Sequence, residues 1–296
     1  MSNASLRLHD AHALSQPTPQ RSMPRPWLWL AGWALVGSFL LLALLAPWLA
    51  PHDPTAYSGA PLERPSRQHP LGTNDVGQDL LSELIYGARI SLLVGVAAGG
   101  LALLIATLIG AGAGYLGGWV DLLLMRCVDL LMALPMVPLL ILVVAYAGPS
   151  LLNLILCIAL LGWMVPARSI RAQVLSLRSR NYIQAARLFG AGPLYVLLRH
   201  LLPALGPILL ALLVGQIGRA IMIEAGIAFL GLSDPTAKSW GMMIRYALNY
   251  GGIYLSPVWI WWLLPPSLCI SLLVLGFTFL GVGLERRLSP RLVRQL

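Results

Sequence analysis

Three charged side chains stand inside long apolar runs of the sequence, where a charge is costly: Asp129, Arg219 and Glu224. Charged residues in such runs usually face a cavity or a partner, and they often mark the path of a solute or an ion. All three are therefore candidates for lining a translocation path. For Asp129 the preferred interpretation is an ion pair with Arg126, three residues earlier on one helix. For Glu224, packing against a neighbouring helix is an equal alternative.

The chain carries neither a P-loop nor the common motifs of hydrolytic enzymes. A P-loop needs the sequence Gly-Lys-Ser/Thr, and the only lysine, Lys238, follows Ala237. GxSxG, HExxH and paired carboxylates at catalytic spacing are absent. We therefore expect no catalytic residue and no cofactor bound by this chain.

The cysteines and histidines show no metal-binding spacing. Cys127, Cys157 and Cys269 lie in apolar stretches, and no two of them have zinc or thioredoxin spacing. The five histidines are scattered along the chain. The sequence therefore predicts no metal site, and the cysteines are interpreted as small buried hydrophobic residues.

A cationic segment interrupts the apolar sequence between residues 167 and 204. It contains no carboxylate, and its cations are Arg168, Arg171, Arg178, Arg180, Arg187, Arg199 and His200. Within it, residues 182–189 predict a short helix with one apolar face, formed by Tyr182, Ile183, Ala186 and Phe189. Gly190 and the pair Gly192-Pro193 are expected to end that helix. A helix this short is marginal in water, so it must dock on its own bundle or on a partner.

The composition indicates a protein whose solvent is lipid. Of 296 residues, 58% are hydrophobic and only 10% are charged, whereas a soluble domain has about 25% charged residues. The mean hydropathy is +0.77. A net charge of +9 could indicate nucleic-acid binding, but most cations lie at the ends of apolar runs, which is typical of the positive-inside rule. We therefore expect a lipid bilayer and no nucleic acid as the chain's environment.

Six apolar runs are long enough to be considered as membrane spans. The predicted fold is an all-α integral membrane protein with six transmembrane helices, at about Trp27–Ala50, Ile90–Tyr115, Val128–Ala147, Leu151–Pro166, Leu205–Leu230 and Val258–Gly283. Polar tails at 1–26 and 285–296 flank them. The first helix (27–50) is followed by an external segment (51–89) and then by a five-helix core (90–284).

The arginines predict how these spans are oriented. Clusters precede the first and third spans and follow the fourth and sixth, at Arg21 and Arg25, at Arg126, at 168–199, and at Arg286, Arg287, Arg291 and Arg294. With six crossings all four clusters fall on one side, which the positive-inside rule makes cytoplasmic. Both termini are then cytoplasmic, and segments 51–89, 148–150 and 231–257 face outward.

Glycines recur at four-residue spacing in the second span. Gly95 and Gly99 form one such step, and Gly110 and Gly114 form another. These steps allow helix backbones to approach closely. The sequence leaves open whether they pack within one bundle or at an interface between subunits.

The cationic segment resembles the signature loop of ABC importer membrane subunits. That loop reads Glu-Ala-Ala, three residues, Gly, nine residues, Ile, one residue, Leu-Pro. Ala185, Ala186, Gly190, Leu202 and Pro203 match it, whereas Gln184 replaces the glutamate and His200 replaces the isoleucine. The replacement at 184 keeps the hydrogen-bonding reach of the side chain but removes its charge.

Further stretches resemble the dipeptide, oligopeptide and nickel branch of that family, and specifically its "C"-type peptide permease. They are HPLGTNDVGQDLLSELIYGARISLLVG (69–95), GGWVDLLLMRCVDLLMALP (117–135), GPSLLN (148–153) and FLGL…SWG (229–241). The resemblance implies a multi-pass permease subunit in a bacterial cytoplasmic (inner) membrane. It implies a sister permease as heterodimer partner, two ATP-binding subunits that bind ATP and Mg²⁺, and an extracytoplasmic solute-binding protein. It also implies that 167–204 is the coupling loop.

Peptides are the solute that the resemblance favours, and nickel or a metal chelate is the alternative. A secondary transporter or channel that works alone is a hypothesis from another class. Such proteins usually show inverted repeats, and no clear repeat is present in this sequence.

Overall fold

The structure is a computed structural model that describes residues 26–288, where all regular elements are helices. Most of the two predicted tails, 1–26 and 285–296, lies outside these residues. The helices are α1 (Pro26–Leu44), α2 (Ala46–Leu49), α3 (Leu80–Leu116), α4 (Gly118–Met132), α5 (Met136–Ala147), α6 (Leu151–Gly162), α7 (Met164–Arg178), α8 (Asn181–Leu188), α9 (Pro193–Val196), α10 (Leu202–Phe229), α11 (Trp240–Asn249), α12 (Trp259–Trp262) and α13 (Leu264–Leu288). A π-helical turn, Leu197–Leu201, joins α9 to α10.

Four stretches of helix are long and apolar enough to cross a membrane: Trp27–Leu44, Leu80–Leu116, Pro193–Phe229 and Trp259–Leu284. Two bent helix pairs, α4 with α5 and α6 with α7, raise the number to six if each pair is one span. The all-helical membrane fold is therefore confirmed, with four to six candidate spans.

The third and fourth predicted spans differ from the straight helices that the sequence suggested. Between α4 and α5 the chain turns by 87° at Pro135, because a proline disfavours helical geometry at the residue before it. Between α6 and α7 the bend is 43°. There Pro166 has no N–H to offer the carbonyl of Gly162, and the Gln216 side chain donates to that carbonyl instead, at 2.8 Å. Hydropathy alone did not indicate either break.

The second predicted span begins ten residues earlier than expected, at Leu80 instead of Ile90. Its 37 residues extend about 55 Å at 1.5 Å per residue, well beyond a hydrocarbon core of about 30 Å. Asp79 caps the helix by accepting from the Ser82 N–H at 2.8 Å. The sequence did not predict this start, because Glu83 and Arg89 in the first turns are typical of an external segment.

Helix α3 packs closely against two neighbours through its glycines. A β-carbon on Gly99 would lie 2.9 Å from the Ile217 nitrogen of α10, and one on Gly110 would lie 2.4 Å from the Ala167 oxygen of α7. Gly95 and Gly114 likewise face Ile221 and Val174. Both glycine steps therefore serve packing inside this chain.

The connecting segments gather at the two ends of α3. Near its start, Lys238 forms an ion pair with Glu83 and donates to the Pro54 carbonyl at 3.0 Å. Near its end, Arg178 donates to the Gly114 carbonyl at 2.9 Å, and Arg187 lies over the Tyr115 ring at 4.6 Å. The segment 231–257 is thus close to the segment 51–79, and the arginine-rich segment lies at the opposite end of the bundle.

Residues 148–151 also lie at the Leu80 end of α3, where Leu151 contacts the turn that begins at Asp234. Hydrogen bonds from the Thr236 hydroxyl and then from backbone N–H groups, including that of Leu151, hold the pKa of Asp234 below its usual value. The three segments that the sequence assigns to one side are therefore in contact at one end of the bundle.

The glycine packing gives a test with a matched control. Gly110→Ala should lower the free energy of unfolding by about 1–3 kcal/mol, because the added methyl overlaps the Ala167 carbonyl. Gly112→Ala, two residues away, should cause no loss, because an added β-carbon there meets no atom within 4 Å. Thermal unfolding of the two detergent-solubilised variants measures the difference. Equal midpoints for both would show that α3 does not touch α7 as described.

Candidate functional site

The short helix of the cationic segment ends in a left-handed glycine, as the sequence predicted. After α8, Gly190 adopts φ +83°, a conformation that costs little only for glycine. Its N–H donates to the Arg187 carbonyl at 3.0 Å, and the Ala191 N–H donates to the Ala186 carbonyl at 3.0 Å. This pair of bonds is a Schellman motif, which satisfies the last carbonyls of the helix.

The apolar residues predicted for one face of α8 divide between buried and exposed positions. Ile183 is fully buried against a cluster that includes Val174 and Val196. Tyr182 and Phe189 are instead 49% and 92% exposed. At 100° per residue, Tyr182, Ala186 and Phe189 form a narrow stripe along α8, and Ile183 lies at its edge. Of the four residues, Ile183 is the one that is fully buried against the rest of the bundle.

Large apolar side chains are exposed on α8, on the turn after it and on the following helical segment. We call these residues the coupling surface: Tyr182, Leu188, Phe189, Leu194, Tyr195 and Leu198. The His200 ring lies 6.5 Å from the Tyr182 ring and 5.6 Å from the Tyr195 ring, so it links the two halves. Exposed apolar groups of this number usually mark an interaction site.

The remaining signature positions lie next to the coupling surface and are not part of it. Ala185 and Ala186 are half-buried, and the exposed Gln184 donates to the Ser179 carbonyl at 3.2 Å. In the π-helical turn the Leu202 N–H reaches back five residues to the Leu197 carbonyl, directly before Pro203, which has no N–H. Such turns often occur at functional sites.

The three charged residues of the apolar runs lie in three different surroundings. Asp129 pairs closely with Arg168 of α7 and lies 3.9 Å from Arg126, the partner that the sequence suggested. Glu224 is fully buried, and the Ser91 hydroxyl of α3 donates to it at 3.3 Å. Arg219 is exposed and lines two clefts, of about 300 Å³ and about 100 Å³. The structure therefore does not bring the three together, and their place on a solute path stays a prediction.

One cluster of potential metal ligands escaped the sequence analysis. The Nδ1 of His69 donates to Asp79 at 3.0 Å, and the Nδ1 of His52 lies 4.0 Å from the other Asp79 oxygen. Donor atoms of all three lie within 4.8 Å of one another. Both Asp79 oxygens already accept hydrogen bonds, from His69 and from Ser82, so helix capping accounts for the cluster. No spacing signal could have revealed it, because 17 residues separate the two histidines.

Comparison with known proteins places the chain in a family. Residues 106–294, more than half of the chain, match the family described as binding-protein-dependent transport system inner membrane component. The dipeptide transport system permease protein DppC of Alkalihalophilus pseudofirmus is 35% identical, over 97% of this chain and 99% of its own length. The nickel transport system permease protein NikC of Escherichia coli is 38% identical, over 88% of this chain and 93% of its own.

A second dipeptide permease, DppC of Bacillus subtilis, is 36% identical over 88% of this chain and 82% of its own length. These matches agree with the motifs at residues 69–95 and 184–203, and the apolar helices agree with a multi-pass protein of the inner membrane. The resemblance seen in the sequence is confirmed: the chain belongs to the family of inner membrane components of binding-protein-dependent transport systems.

Proposed function

We propose that this chain is a permease subunit of an ATP-driven importer for dipeptides or oligopeptides. It forms the solute path with a sister permease, and two separate ATP-binding subunits that bind ATP and Mg²⁺ supply the energy. An extracytoplasmic solute-binding protein delivers the solute. The observation that carries this function is the coupling surface, which lies at the arginine-rich end of the bundle.

Import of nickel or a metal chelate is the second candidate. It is favoured by the relative named as a nickel transport system permease, which is 38% identical to this chain. The two candidates share the architecture and the partners, and they differ only in the solute.

The coupling surface fits a protein partner rather than lipid. Phe189 and Leu188 are 92% and 88% exposed, yet they directly follow Arg187 in a cationic segment, which the positive-inside rule assigns to the aqueous cytoplasm. An apolar patch that faces water is stabilised by a partner that covers it. The ATP-binding subunits are that partner in our proposal, because this chain has no P-loop of its own.

The orientation follows from the same charges. We infer six spans, counting each bent pair as one, with both termini and the arginine-rich end in the cytoplasm. The coupling surface then faces the compartment that contains ATP. The segments 51–79 and 231–257 face outward, where a solute-binding protein can reach them.

The coupling surface can be tested by truncating its most exposed side chains. Leu188→Ser and Phe189→Ser should each weaken binding of the ATP-binding subunits by about 2 kcal/mol, or about thirtyfold. Neither side chain packs inside the chain, so stability should hold. Leu255→Ser is the control, because Leu255 is 90% exposed at the opposite end. Co-purification of the subunits measures the effect, and undiminished yield with both variants would place the contact elsewhere.

The energy source separates the proposed importer from a transporter that works alone. In proteoliposomes containing the two permeases and the ATP-binding subunits, uptake should require ATP and the solute-binding protein. Vesicles that lack the ATP-binding subunits should show no uptake under an ion gradient. Gradient-driven uptake in those vesicles would contradict the proposal and favour a secondary transporter.

The orientation can be measured with reporter fusions. A reporter fused after Arg180 should report the cytoplasm, and one fused near Pro61 should report the outside. The reason is that both sites lie in connecting segments at opposite ends of the bundle. An external signal from the Arg180 fusion would refute the six-span orientation.

A further inference from the structure

An exposed stripe runs along α10 on the side that faces away from α3. Its members are Gly215, Arg219, Met222 and Gly226, which recur at helical spacing and are all exposed. A β-carbon added to Gly215 or Gly226 would meet no atom within 4 Å, so the surface beside the stripe is open. Glu224 lies on the opposite face of the helix and is fully buried.

Arg219 is the one charge of the stripe, and it is far from either end of α10. The two clefts that it lines lie where the chain bends by 87° between α4 and α5. Met136 borders both clefts, Met222 and Gly226 border the larger one, and Met164 borders the smaller one. The other side chains of both clefts are apolar, so the guanidinium is the only group there that can bind an ion.

Within residues 26–288 the Arg219 guanidinium makes no ion pair and no hydrogen bond. An arginine side chain keeps its charge in proteins. At the centre of a transmembrane helix such a cation costs about 2.5–3.5 kcal/mol on insertion scales. Charges at this depth usually face a water-filled cavity or a partner, and they mark the path of a substrate or an ion.

We propose that Arg219 lies on the wall of the solute path and recognises a carboxylate on the passing solute. This rests on the proposed function. A guanidinium binds a carboxylate with two parallel hydrogen bonds, whereas it repels a free metal cation. The carboxylate is that of a peptide C-terminus or of a chelator that carries a metal ion, and a bare divalent cation is disfavoured.

A first experiment measures the potential beside Arg219 in the assembled importer. Met222→Cys is made in a variant whose native Cys127, Cys157 and Cys269 are replaced by serine, because Met222 lies one turn from Arg219 on the exposed stripe. Anionic sulfonatoethyl methanethiosulfonate should modify it about tenfold faster than the cationic trimethylammonioethyl reagent, which corresponds to about 1.4 kcal/mol. Adding Arg219→Gln should abolish this preference. Equal rates with Arg219 present, or no modification by either reagent, would overturn the proposal.

A second experiment measures transport in proteoliposomes that contain the complete importer and its binding protein. Arg219→Gln should lower the uptake of a dipeptide with a free carboxylate at least about tenfold, the effect of losing a charge-assisted contact. Arg219→Lys should retain part of the rate. Uptake by Arg219→Gln at the wild-type rate would refute the proposal.

Two pairs of solutes, compared in the same uptake assay, identify the source of the carboxylate. A free dipeptide is compared with its C-terminal amide, and Ni²⁺ with a carboxylate chelator is compared with Ni²⁺ alone. The wild type should prefer the carboxylate form within the pair that it transports, and Arg219→Gln should lose that preference.

Loss of the sister permease from purified Arg219→Gln would overturn the proposal, because Arg219 would then pair with that subunit. Uptake that needs no ATP would instead refute the proposed function and leave the reagent preference unchanged.

Discussion

Close backbone contact along α3 is the constraint on which the other contacts depend. In lipid, an apolar side chain gains little by exchanging solvent for a neighbouring helix, so helices associate mainly through tight van der Waals packing. The glycines of α3 allow α10 to approach near its middle and α7 near its C-terminal end. Helix α10 presents the exposed stripe, and α7 leads into the coupling surface. Both surfaces are thus held in place by one central helix.

The two charges of α10 lie in different surroundings on one helix. Glu224 and Arg219 are five residues apart in sequence, but they point to opposite faces. The carboxylate is enclosed against Ser91 of α3, whereas the guanidinium faces open clefts. Charge alone therefore does not show whether such a residue is enclosed or exposed, and the face on which it lies must be known.

Much of the fold was predictable because it depends on properties that the sequence displays directly. The apolar runs gave the helical membrane fold, and Gly190 gave the end of α8 through its need for a positive φ. The breaks at Pro135 and Pro166 were missed, since a proline in an apolar run is compatible with a span until its neighbours are known. The start of α3 was missed because its polar first turns contact Lys238, 155 residues away in sequence.

The site was predictable to a similar degree. The signature spacing singled out the segment 167–204, in which the exposed apolar residues lie, and its role in coupling stays a prediction. Which apolar residues of α8 would be buried depended on the position of α7 and α9, which no local pattern contains. That Arg219 has no ion-pair partner among residues 26–288 likewise follows only from the packing of α5 and α6 around it. The cluster of His52, His69 and Asp79 was not predictable, because its residues come from separate parts of the external segment.

The length of α3 has a mechanical consequence. One end of this uninterrupted helix is held by Arg178 and Arg187, next to the coupling surface, and the other carries Glu83, which holds Lys238. A helix of 37 residues is about 55 Å long and resists bending. If it pivots at one end by about 5°, its far end moves by about 5 Å, the rise of one helical turn. A small rotation at the end next to the coupling surface is therefore enlarged at the end that carries Glu83.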